Sequence, residues 1–124
     1  MNNRIIIYDN KFSKHDPSTI SVLDKALNKL EHRINMYVGR NIPLNQVFND
    51  DVLIHDIIKA PTQDYYVFKT EVNNLQIRIL YTVDAANHII IVSHFLKKKN
   101  AKSYLYEFQR IANNILLEST LLLS

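Results

Sequence analysis

The stretch VSHFLKKKN, residues 92–100, ends an apolar run on a histidine and three consecutive lysines. Upstream, LQIRILYTVD (75–84) carries Arg78 in mid-strand, and YYVFKTEV (65–72) carries Lys69 close to Glu71. A mid-strand arginine is costly to bury unless it is paired or reaches an anion. Histidine ordinarily titrates near neutrality, so His94 can take or give a proton. If Lys69, Arg78, His94 and the run Lys97, Lys98, Lys99 share one sheet surface, they meet the demands of RNA cleavage without a metal. In that reaction the 2′-hydroxyl loses a proton, the phosphorane is neutralised and the 5′-oxygen gains a proton. A tyrosine can stack on a base. Each residue alone also has an ordinary reading: a salt-bridged strand arginine, a satisfied histidine, a solvated lysine turn, a Lys69–Glu71 pair.

Other chemistries have less support. His15, His32, His55, His88 and His94 include no pair at metal-ligand spacing beside a carboxylate, so no metal and no cofactor are expected. A single glycine excludes a Gly-rich phosphate loop, and no nucleophile-elbow motif supports a triad built on Ser93 and His94.

The elements that must position these residues are legible from periodicity. RIIIY (4–8) reads as a short buried strand. Asp16 and Pro17 mark a helix start, and Ile20, Leu23, Leu27, Leu30, Ile34 and Tyr37 form one apolar stripe ending at Gly39, expected in the left-handed region. After a connection with one helical turn near residues 44–48, the segments 52–59, 65–72, 75–84 and 88–95 read as antiparallel strands joined by short turns. Ile77, Ile79, Tyr81 and Val83 should face the long helix, with Gln76, Arg78, Leu80 and Thr82 on the other side. Asn100 should cap a final helix bearing Leu105, Phe108, Ile111, Ala112, Ile115 and Leu116. The expected fold is α+β: one domain over 1–124, with a small antiparallel sheet of four to five strands packed against a long N-terminal helix, and a C-terminal helix.

With 124 residues the chain can bury a core without staples. No run is long and apolar enough for a membrane span, and MNNRIIIYDNK lacks the form of a signal peptide. The absence of cysteine fits a reducing cytoplasm. With one glycine, asparagine must fill most positive-φ turn positions. The net charge of +3 is uneven: residues 65–110 hold seven basic and three acidic side chains, while 1–64 hold eight of each. A basic region on a neutral body suits a phosphate-bearing partner.

Residues 65–110 resemble the RelE/ParE toxin superfamily, in particular its HigB-like, phage-derived branch. The resemblance lies in a strand with FK, then QIRILYTVD, then HIIIVSHFLKKKNAKSYLYEFQRIAN. It implies a compact fold with helices on one face of a small antiparallel sheet. It also implies an mRNA endonuclease, often ribosome-dependent, held inactive by a cognate antitoxin. By that resemblance Arg78 falls at a phosphate-binding arginine, His94 at a catalytic histidine and Lys69 near a family lysine. Lys97, Lys98, Lys99 and Lys102 overlie a basic RNA-binding segment, and Tyr104 or Tyr106 stands where an aromatic stacks. The chain departs in its long N-terminal half, in lysines where arginines are frequent, and in the apolar tail ILLESTLLLS. That tail is either core packing or a surface for an antitoxin or a second copy. The alternative function is a non-enzymatic binding module of the same fold, such as a gyrase-inhibitor-like toxin or a phage regulator of a host factor.

Overall fold

A computed structural model describes residues 4–47, 49–61, 63–97 and 103–123. In chain order these form β1 (Ile5–Ile7), α1 (Pro17–Val38), β2 (Asp56–Lys59), β3 (Asp64–Val72), β4 (Leu75–Val83), β5 (Ile89–Lys97) and α2 (Ser103–Leu123). The class is α+β, with one helix near each end of the chain. Among the described residues no helix is long and apolar enough to cross a membrane.

The strands make one sheet in the order β1-β5-β4-β3-β2. Strands β2 to β5 form the expected antiparallel meander, but β1 pairs with β5 in parallel, so the sheet is mixed. A parallel pair needs a long crossover, and the chain between β1 and β5 supplies it. β1 is also an edge strand, with Ile6 and Ile7 42% and 45% exposed, not the buried strand expected of RIIIY.

Asparagine does the work of glycine at the turns. Positive φ occurs at Asn41 (57°), Asn73 (51°), Asn74 (66°) and Asn87 (65°). Asn73 and Asn74 form the two-residue β3–β4 hairpin, where a type I′ turn requires both residues to be left-handed. Gly39 departs from expectation: it stays right-handed at φ −63°, its N–H bonded to the Asn35 carbonyl, and the reversal falls on Asn41. In VLIHDIIK only the second half is strand. Asp50 holds the first half in a turn, accepting the Leu53 N–H on its carboxylate at 2.9 Å and the Ile54 N–H on its carbonyl at 2.8 Å.

Both faces of the sheet are covered. Leu23, Leu27, Leu30 and Ile34 of α1 pack with Phe68, Ile77, Ile79, Tyr81 and Ile91. Tyr104, Phe108, Ala112 and Ile115 of α2 pack on the opposite face with Val67, Leu80 and Val92. The helices therefore do not share one face, as the family resemblance implied. Ile77 and Ile79 on one side of β4 and Leu80 on the other make the sheet apolar on both faces, and each face needs cover.

One irregularity decides which way His94 faces. Leu80 pairs with Ser93 but Tyr81 pairs with Ile91, so Val92 is an extra residue, a β-bulge. Val92 joins the α2-side core, and alternation resumes with His94 opposite Ile79 and Phe95 opposite Arg78.

A buried polar anchor ties α1 to this frame. The Asp50 carboxylate accepts Arg33 Nε at 2.9 and 3.0 Å, the Tyr37 hydroxyl at 2.8 Å and the Leu53 N–H. Burial works to raise this carboxyl, but the Arg33 bond, then the Leu53 and Tyr37 bonds, hold it below the ordinary carboxylate range. Its contribution to stability is therefore present above that range and lost as pH falls through the lower folded value. Asp50→Ala should cost about 2 kcal/mol in urea unfolding by orphaning the buried Leu53 N–H and the part-buried Arg33 and Tyr37 donors. Asp50→Asn should remove this residue's share of the acid limb of the stability–pH curve.

Candidate functional site

Beyond Ile7, β1 ends while β5 continues, and the chain turns across the exposed strand edge. A cleft of about 820 Å³ opens there between residues 8–15, the Val92–Phe95 segment of β5 and α2. Within it, Asp9, His94 and His15 form a hydrogen-bonded chain. The side chains of Asp9 and His94 are only 6% and 7% exposed, and Asp9 Oδ2 accepts from His94 Nδ1. The other Asp9 oxygen accepts the Lys11 N–H at 3.0 Å. On the far side of the ring, His94 Nε2 meets His15 Nε2 at 2.8 Å.

Local structure accounts for each position. Bonds from Tyr8 N–H to the Ile91 carbonyl and from Phe12 N–H to the Asp9 carbonyl hold the turn after β1 against β5. Buried Phe12 lies edge-on to His94, with ring centroids 5.8 Å apart. The bulge at Val92 turns His94 toward Phe12 and His15; unbroken alternation would have sent it to the other face.

The donor inventory constrains the protons. An ionised carboxylate only accepts, so His94 Nδ1 carries hydrogen, and in neutral His94 Nε2 offers a lone pair. That is an imidazole oriented by a buried carboxylate as a proton acceptor, the arrangement of a general base. His15 supplies the N–H that it faces. Lys11, Lys14 and Arg110 also line the cleft, with Glu107. Arg110 donates to Glu107 Oε1 and, at 3.4 Å, to Oε2. That bond, with Lys11 adding to it, holds the Glu107 carboxyl below its ordinary range.

The surface expected from sequence is split. Lys69 and Arg78 are direct cross-strand partners, but His94, opposite Ile79, faces the other way. Arg78 is 7% exposed beneath α2, its guanidinium carbon 5.7 Å from the Tyr104 ring centroid. Its Nη1 donates to the Ile77 carbonyl at 3.2 Å, while its buried Nε has no partner among the described residues. Lys69 lies 3.9 Å from Asp51, and Glu71 takes its bond from Gln76 instead of Lys69. Tyr104 is buried and donates to Asp56 at 2.8 Å, whereas Tyr106 is 78% exposed and free to stack. Lys97 is exposed, with Nζ 5.9 Å from the Phe95 ring centroid. Lys98, Lys99, Asn100 and Lys102 lie outside the described residues, as do the side chains of the apolar tail after Ile115, which itself packs on the sheet.

Asp9, Lys11, Lys14, His15 and Arg110 were not singled out from sequence. Four of them crowd into YDNKFSKHD (8–16), which signals a polar loop; only the β1–β5 pairing brings it to His94. No group of three or more His, Asp or Glu side chains among the described residues is arranged to hold a metal ion. No family model, curated protein or solved structure matches the chain.

The tautomer is directly measurable. Long-range ¹H–¹⁵N spectra should show neutral His94 protonated on Nδ1, with that preference lost in Asp9→Ala. A dominant Nε2–H form in the wild type would remove Asp9 as its orienting partner.

Proposed function

We propose that the protein is a metal-independent endoribonuclease and that the Asp9–His94–His15 chain is its catalytic centre. The observation that carries this reading is the buried Asp9–His94 pair opening through His15 into a cleft bearing Lys11, Lys14 and Arg110. The resemblance of residues 65–110 to RelE/HigB-like toxins supports RNA as substrate, an mRNA on the ribosome among them. It also supports a toxin role with a cognate antitoxin as partner.

The chemistry balances with one proton in excess on the histidine pair. The 2′-hydroxyl of bound RNA replaces His15 at His94 Nε2 and gives up its proton there. The 2′-oxygen attacks phosphorus, and the bond from phosphorus to the 5′-oxygen breaks. His15, as imidazolium, protonates that leaving oxygen, so the products are a 2′,3′-cyclic phosphate and a 5′-hydroxyl. Asp9 stabilises the imidazolium that forms on His94, and the cations offset charge on the phosphorane. When product leaves, renewed contact between the two Nε2 atoms lets the proton pass from His94 back to His15, restoring both groups.

His94→Asn keeps a donor for Asp9 but lacks the basic nitrogen, which limits damage to the fold. With folding checked by circular dichroism, it should slow RNA cleavage about 10²- to 10⁴-fold. Wild-type cleavage should persist in chelator and leave 5′-hydroxyl ends. Lys69→Ala, on the opposite face, should stay within about twofold of wild type. If Lys69→Ala abolishes cleavage while His94→Asn does not, the centre lies on the Lys69–Arg78 face. Intact RNA on induced expression, with arrested growth or lost gyrase activity, would favour the binding-module alternative.

A further inference from the structure

The cleft holds one charged group that this chemistry leaves unused. Glu107, on α2, receives Arg110 from one turn further along the helix, and Lys11 of the loop after β1 lines the same cleft. Two cations from separate elements thus share with this carboxylate the cleft that holds the histidine pair. A carboxylate and the non-bridging oxygens of a phosphate present similar paired acceptors, and a guanidinium fork fits either. The carboxylate therefore stands where an incoming oxyanion would gain most.

We infer that Glu107 is a built-in competitor for the cleft's oxyanion subsite: phosphate binds at Arg110 and Lys11 by displacing the Glu107 carboxylate. This rests on the nuclease reading only in naming an RNA phosphate as the physiological oxyanion. The Arg110 and Glu107 side chains are 52% and 44% exposed, so the resting pair is a screened surface contact that a ligand can break. The consequence is selectivity. A singly charged carboxylate ligand only exchanges like for like, whereas a phosphate of higher charge, or an RNA phosphate with further contacts to Lys14 and the histidines, gains on exchange. His15 plays the matching part at the base, its N–H filling the place of a substrate hydroxyl.

The test is an NMR titration of the full chain with inorganic phosphate, following Arg110 Nε–H and the amides of residues 9–15. Glu107→Gln should bind phosphate about two- to fivefold tighter than wild type at low salt. That gain should shrink as ionic strength rises, and should vanish when Arg110→Ala is added. Glu107→Ala should shift affinity in the same direction, which excludes an effect of the glutamine amide itself. Unchanged or weaker binding in both variants overturns the inference. Tighter phosphate binding with RNA left uncleaved by wild type would instead overturn the nuclease reading and leave the competitor role standing.

Discussion

Three residues of β1 run parallel to three of β5, Ile5–Ile7 beside Ile89–Ile91, and this short ladder joins the first strand to the last. It is closed at its ends by the Ile89 N–H on the Arg4 carbonyl at 2.6 Å and the Tyr8 N–H on the Ile91 carbonyl at 2.8 Å. Arg4 adds a bond from its side chain to the Asn87 carbonyl, and another to Asn35 on α1. Because the ladder is parallel, β1 leaves it in the direction β5 is still travelling. The turn that follows must then lie against Val92–Phe95, and Asp9 arrives beside His94, 85 residues away in sequence. An antiparallel β1 would have sent the same loop to the other end of the sheet.

The ladder alone would not complete the cleft. The bulge at Val92 adds one residue to β5, and because side chains alternate with period two, every residue after it changes face. Without it His94 would turn to the α2 side with Arg78, the surface that the sequence pattern suggested. With it, Phe95 goes to Tyr104 under α2, and His94 goes to Phe12 and His15. A single insertion thus divides the basic and histidine residues of 65–97 between two surfaces.

What was legible in the sequence follows from which interactions are local. The α1 stripe, the N-terminal Asp16–Pro17 signal and the Asn-rich turns depend on neighbours within a few residues, and each appears where periodicity put it. The orientation of Ile77, Ile79 and Tyr81 toward α1 likewise needs only alternation within one strand. Three features depend on distant partners and were not legible: the parallel placement of β1, the bulge in β5, and the turn that Asp50 imposes on residues 51–54. For the site, His94 could be picked out by its position at the end of an apolar strand. Asp9 and His15 could not, since nothing in YDNKFSKHD says which strand edge it will cross.

The two polar surfaces are not equivalent, and burial separates them. Arg78 is sealed beneath Tyr104, so a phosphate reaching its guanidinium would have to move the first turn of α2, which Tyr104 anchors through Asp56. Burial, followed by the Asp56 contact, raises the Tyr104 phenol above its ordinary range, keeping it neutral and a donor to that carboxylate. Arg78 and Tyr104 therefore act as a closed support for the start of α2. At the cleft the balance is reversed: the carboxylate that orients the ring is buried, while His15, Lys11, Lys14 and Arg110 remain accessible. A fixed orienting group behind an accessible histidine and cations is what the proposed nuclease reading draws on. Moreover, α2 contributes to both surfaces, Tyr104 on one side and Glu107 and Arg110 on the other. The Arg78–Tyr104 contact and the Tyr104–Asp56 bond thus hold the start of the helix that carries the cleft's own arginine.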